Sequence, residues 1–196
     1  MPASETLPAM ALLVCALSVM AQSPAPKRTA LPIPRFEDYL VTDIFRGTPV
    51  APQSATPAQR RYRTVIREGV TKGSGVFRDG KEQPGPNFAG HYIVVEWSCG
   101  SSCGMMAIVD AVTGKVFSPP LAEDFLLPPL PVAVPGDPDR FVPWVAKIEF
   151  RPNSNLMMVK ANPDPSKGRR NYTHYFLWKN NQWILLRRIP MEDATP

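Results

Sequence analysis

The chain is poor in the residues from which most enzyme and metal centres are built: it has two histidines and three cysteines among 196 residues. With so few, no defined metal-ligand spacing can be laid along it. No nucleophile elbow surrounds Ser101 or Ser102, and no catalytic or cofactor motif stands out elsewhere, so the sequence reads as a non-enzyme. Long apolar runs are missing too. The longest, Leu7 to Ala21, falls short of the ~20 residues that a membrane-spanning helix needs. Nor are the 22 basic residues gathered along a stripe; they adjoin only in short pairs such as Arg60-Arg61, Arg169-Arg170 and Arg187-Arg188. A dedicated nucleic-acid binder concentrates them, and that class is set aside.

Proline, by contrast, is abundant, at 24 residues. It donates no ladder hydrogen bond and interrupts helices, which demands long connections and irregular edges. The apolar stretch Leu7–Ala21 ends Val19-Met20-Ala21 and is followed by a Pro-rich polar segment. That pattern predicts a signal peptide over residues 1–21, although Met1–Thr6 holds Glu5 and no basic residue. The expected product is periplasmic or secreted, with no transmembrane segment in the mature chain. Val14 before Cys15 is not the small residue of a lipid-attachment site, so a soluble product is expected. Cleavage would discard Cys15 and leave Cys99 and Cys103, an even pair that predicts one disulfide in an oxidising compartment. It would also remove Glu5, raising the formal charge from +5 to about +6, a balance that favours anionic partners.

Residues 22–35 read as a Pro-rich tether and 36–196 as a single β-rich domain. Phe36–Phe45 alternates weakly and suggests an edge strand. A helix is predicted over 57–68, with Thr56 as N-cap, Pro57 at the first helical position, Gln59 closing a capping box and Gly69 as the stop. Its apolar stripe is Ala58, Tyr62, Val65 and Ile66; Arg60, Arg63 and Arg67 line another face. Residues 73–86 are loop-like. Phe88–Cys99 reads as a strand with His91, Ile93, Val95 and Trp97 on one face and Tyr92, Val94 and Glu96 on the other. Met105–Asp110 is its return, and Lys115–Phe117 follows an Asp110–Gly114 turn. Residues 118–143 hold eight prolines, and no regular element fits them; Phe125-Leu126-Leu127 should anchor that loop. Strands at 144–150 and 156–160 come next. The last hairpin, 172–178 with 183–189, should pair Trp178 with Trp183, Phe176 with Leu185 and His174 with Arg187. The fold class is therefore mainly β: an antiparallel meander of about six to eight strands, propeller-like or an open barrel, with one short N-terminal helix.

Unusual residues are densest between positions 87 and 116. Asn87-Phe88-Ala89-Gly90, then Trp97-x-Cys99-Gly100-x-x-Cys103, then Asp110-x-x-Thr113-Gly114-x-Val116 resembles a family of small exported bacterial proteins that carries no known activity. The resemblance implies export and a β-rich single domain, and it transfers no functional residue.

Read from the residues themselves, Cys99 and Cys103 form a staple on a strand connection. His91, Glu96, Trp97 and Asp110 are candidate ligand-binding residues. A second reading makes the segment a copper or thiol-redox site built from Cys99, Cys103, Met105 or Met106, and His91, since soft ligands suit Cu(I). In the first reading there is no cofactor; in the second the cofactor is copper. A hydrolytic set of His91, Asp110 and Ser101 or Ser102, or a carboxylate pair of Glu96 and Asp110, lacks any supporting motif. The favoured expectation is a non-catalytic binding or structural domain of the cell envelope. Its partner would be an envelope protein or an anionic envelope component, met at the Cys99–Cys103 loop and the 118–143 loop, because binding function concentrates on connections.

Overall fold

The alternating segment at positions 92–110 builds the centre of the molecule. In the computed structural model, Tyr92–Gly100 (β1) and Cys103–Asp110 (β2) pair antiparallel from Tyr92↔Asp110 to Gly100↔Cys103, and Val116–Phe117 (β3) adds to β2. The structure describes residues 32–73, 84–101, 103–134, 137–164, 166 and 170–191. The expected leader 1–21, most of the tether, the loop 74–83 and Ser102 lie outside the described residues.

Because side chains alternate along a strand, Ile93, Val95 and Trp97 share a face with Met105, Ala107 and Val109, and Tyr92 and Val94 share the other with Met106 and Ile108. Both faces are buried. The first is covered by Ile66 and Val70 of the helix Arg63–Lys72 (α2), which follows the short helix Pro57–Arg61 (α1). The second packs on a four-stranded antiparallel sheet of Lys147–Phe150, Leu156–Ala161, Tyr172–Lys179 and Gln182–Pro190 (β6–β9) through Phe150, Met157, Val159, Phe176 and Trp178. The far side of that sheet is closed by Phe36, from a 3₁₀ turn at Phe36–Tyr39, against Leu156 and Tyr175. Ser154 Oγ donates to the Phe36 carbonyl at 2.9 Å, and Arg151 pairs with Glu37 at 2.7 Å. The fold is thus a mainly β antiparallel meander, with nine strands among the described residues. No helix among them is long and apolar enough to cross a membrane.

Several elements differ from expectation, each for a physical reason. The helix runs past Gly69 to Lys72. Gly69 lies inside it because a Cβ there would collide with Val95, and the stop is Gly73 at φ 81°. The capping box stands as read: Gln59 N donates to Thr56 Oγ1 at 3.2 Å, and Gln59 Oε1 accepts from Thr56 N at 3.0 Å. Phe36–Phe45 forms the 3₁₀ turn and an extended strap rather than a strand. The Pro-rich stretch does hold a regular element, a ribbon of Pro129–Val134 (β4) with Asp137–Val145 (β5). Pro131 faces Pro143 across it, which suits a non-hydrogen-bonded pair whose missing N–H groups cost no ladder bond. In the last hairpin Asn180 and Asn181 turn at φ 52° and 60°, and Trp178 faces Trp183. A bulge beyond Phe176 then shifts the register, so His174 faces Arg188 rather than Arg187.

Candidate contact face at the disulfide hairpin

The two ends of the β1–β2 hairpin are built differently. At the open end Asn87 acts as a stand-in strand: its Oδ1 accepts from Val94 N at 2.7 Å and its Nδ2 donates to Val94 O at 3.1 Å. Ala89 and Gly90 turn the chain at φ 46° and 83°. A Cβ on Gly90 would strike the Asp43 carbonyl, and one on Gly114 the Ala51 carbonyl. These glycines therefore let the strap 41–53 lie on the hairpin. Phe45 N donates to Gly90 O, Val50 N to Ala111 O and Gln53 N to Gly114 O, at 2.9, 2.8 and 2.8 Å. Asp110 caps the turn, accepting from Val112 N at 2.8 Å and Thr113 Oγ1 at 2.8 Å. His91 Nε2 stands 3.9 Å from Asp110 Oδ1. Tyr92 donates its hydroxyl to Asn181 Oδ1 at 2.6 Å; burial pushes that hydroxyl above its ordinary pKa, with Trp178 opposing and Asp110 adding to the rise.

At the closed end Cys99 and Cys103 form a disulfide with Cα atoms 5.1 Å apart. Gly100 supplies the positive φ of 137°, and Ser98 Oγ bonds both the N–H and the carbonyl of Gly100. Ser98, Cys99, Gly100 and Ser101 are exposed. Beneath them Trp97, Tyr62 and Phe125 pack with ring centroids 5.4–6.3 Å apart. Trp97 is buried, and its Nε1 has no acceptor among the described residues.

Against the same end lies a turn that the sequence did not mark as a turn. Glu123 and Leu126 exchange backbone hydrogen bonds at 2.8 and 3.2 Å around Asp124 and Phe125, at φ 46° and 74°. Phe125 O accepts from Met106 N at 3.0 Å and Leu127 N donates to Gly104 O at 2.9 Å, so the turn is hydrogen-bonded to β2 itself. A bulky residue at positive φ costs roughly 1–3 kcal/mol, and burying Phe125 almost completely offsets it. Leu121 too sits at positive φ, and it and Leu126 remain 38% and 46% exposed. Glu123 and Asp124 of this turn are exposed, and neither Ser98–Ser101 nor Leu121–Leu126 holds a basic residue, so the tip carries a formal −2.

The structure thus joins the two loops singled out in the sequence, but it does not join every candidate residue. Glu96 is buried on the inner face opposite Met106, and Trp97 on the helix-covered face. Met105 shares the Cys103 side of β2, whereas Met106 points the other way. His91 and Asp110 stand at the opposite end from the cystine, roughly 25 Å along the strand at the usual rise. They meet neither Cys99 nor Ser101; Ser102 lies outside the described residues. No group of three or more metal-ligating side chains occurs among the described residues. Leu121 and the positive-φ turn escaped the sequence reading because Leu-Ala-Glu-Asp-Phe-Leu-Leu contains no glycine, and its only turn hint is Asp124. No protein family, curated protein or solved structure matches this chain.

Proposed function

We propose that the protein is exported through the leader 1–21 and acts in the envelope as a non-catalytic binding domain. Its contact face is the disulfide tip Ser98–Ser101 together with Leu121–Leu126. The carrying observation is that the turn bearing exposed Leu126, with exposed Leu121 just before it, is hydrogen-bonded to β2 beside the exposed cystine loop that closes the hairpin. Exposed apolar groups on rigidly held connections are the usual substrate of protein recognition. The partner is a protein rather than a polyanion, because the local charge is negative; an apolar patch rimmed by basic residues complements it.

The test is capture of a partner from envelope extract by the natural protein, run beside Leu121→Ser/Leu126→Ser. Loss of the captured species with the variant, at unchanged melting temperature, supports the reading. Equal capture by both, or no species captured above a bare-resin control, overturns it.

A second reading, thiol-redox or copper function at Cys99 and Cys103, draws on the exposure of Cys99. Thiol titration separates the two: ready exchange with glutathione, or Cu(I) uptake after reduction, favours redox or metal function. A pair that resists reduction favours the staple.

A further inference from the structure

The opposite electrostatic character appears on the helical side of the molecule. Between Val41 and Lys72 the sequence holds Arg46, Arg60, Arg61, Arg63, Arg67 and Lys72 against Asp43 and Glu68, so this segment alone contributes +4. Folding gathers those charges. Ile66, Gly69 and Val70 of α2 face the sheet, while Arg60, Arg61, Arg63, Arg67 and Lys72 are all exposed. Arg63, Arg67 and Thr71 follow one another at successive turns along a single line.

Internal partners take up only part of this charge. Arg60 donates to the Ala55 carbonyl at 2.6 Å, and Lys72 pairs with Glu68 at 3.2 Å. Arg46, Arg61, Arg63 and Arg67 have no ion-pair partner among the described residues. At the end of the arginine line, an open cleft of about 520 Å³ separates the strap from α2, with Phe45 and Val70 in its lining and Arg46, Thr48 and Thr71 among its polar groups. Ile44 next to it is 37% exposed. The result is a guanidinium row leading to a small amphipathic cleft beside an exposed aliphatic side chain.

We propose that this face is a docking surface for a bilayer rich in anionic phospholipid. Arg61, Arg63 and Arg67 lie over the headgroup layer, and Arg46 with Thr48 and Thr71 receives a headgroup phosphate at the cleft. Guanidinium matches phosphate oxygens in charge and geometry, and clustered basic residues on one helix face are the usual means of holding a protein to an anionic membrane surface. The surface is separate from the acidic disulfide tip, so the inference stands whether or not that tip binds a protein.

The experiment is flotation of the natural protein with vesicles of phosphatidylcholine alone and with one-third phosphatidylglycerol, at low and at 0.5 M salt. Arg61→Ser/Arg63→Ser/Arg67→Ser is compared with Lys147→Ser/Arg170→Ser/Lys179→Ser, which removes equal charge from exposed positions on other elements. Binding is expected on the anionic vesicles only, lost at high salt. It should fall on the order of 100-fold in the arginine variant and within about two-fold in the control. Circular dichroism and melting should be unchanged in both, since the replaced side chains are exposed. No binding by the wild type, equal binding to neutral vesicles, or an equal fall in the two variants overturns the proposal. Retention on heparin without vesicle binding does the same, marking a soluble-polyanion surface instead.

Discussion

The open and closed ends of the β1–β2 hairpin spend their unusual residues in opposite ways. At the open end Asn87, Gly90, Asp110 and Gly114 are absorbed by the fold itself: each hydrogen-bonds or makes room for a neighbouring segment. At the closed end the cystine loop is exposed and its hydrogen bonds are local to Ser98 and Gly100. Residues whose cost is offset by internal contacts need no further explanation. Those left at the surface on a rigid support have no such internal account, and it is on them that the proposed contact face rests. Reading the signature as one functional motif would merge a packing device with the proposed contact face.

The largest expected effect belongs to the open end. Phe88 is fully buried and contacts Tyr92, Phe150 and Trp183, with centroids 5.8–6.4 Å apart. It locks the turn before β1 into the space between the two sheets. Phe88→Ala should destabilise the protein by about 3–5 kcal/mol, read by urea unfolding. A loss below about 1 kcal/mol would mean that this end is not structural and would erase the contrast.

At the closed end the corresponding loss is smaller. The loop between Cys99 and Cys103 is so short that the chain-entropy model assigns its closure only about 2 kcal/mol. Cys99→Ser/Cys103→Ser should therefore lower stability by about that amount, in the same unfolding assay, while the protein stays folded. A loss as large as that of Phe88→Ala would make the cystine a keystone of the core rather than a clasp on an exposed tip.

How much of this could be read from residues alone depended on whether the signal was local. The cysteine pair, the Thr56 cap, the two faces of β1 and the Asn180-Asn181 turn are each written in a few adjacent residues, and the structure has them as read. The bulge that brings His174 opposite Arg188 is not local: it arises where Leu186 is drawn toward the Phe36 cluster on the outer face. The β4–β5 ribbon was hidden because proline content argues against strands in general, yet not against an edge where the missing donor costs nothing. The turn at Asp124-Phe125 was hidden for the complementary reason. Its positive φ is imposed by burial of the phenyl ring and pairing with β2, neither of which leaves a mark in sequence.

A pH titration sharpens the comparison by weakening the interior alone. His174 is buried, donates Nδ1–H to the Val159 carbonyl at 3.2 Å, and stacks on Phe176. Burial pushes its pKa below the ordinary value, the Val159 carbonyl opposes that, and Arg188 adds to it. The unfolded chain therefore takes up the proton first as pH falls. Stability should be complete above the unfolded value of about 6.5 and decline as pH drops through it toward the lower folded value. His174→Phe should flatten the unfolding free energy over that interval. An unchanged slope would place the responsible group elsewhere.

The smallest effect on stability is expected where the largest effect on binding is proposed. Leu126 is 46% exposed, and what it gives the fold is its backbone, through the Glu123 exchange and the bridge to Met105, while Phe125 and Leu127 supply the buried anchors. Leu126→Ser keeps every one of those backbone bonds, so unfolding should shift by no more than about 0.5 kcal/mol. Any loss of partner capture is then a loss of contact and not of structure. Phe125→Ala is its counterpart: it removes the anchor that holds the positive-φ turn and should cost about 3–5 kcal/mol, releasing the loop from β2. If Leu126→Ser proves as damaging to stability as Phe125→Ala, the leucine belongs to the core, and the exposed face at the tip loses the side chain on which its apolar character rests.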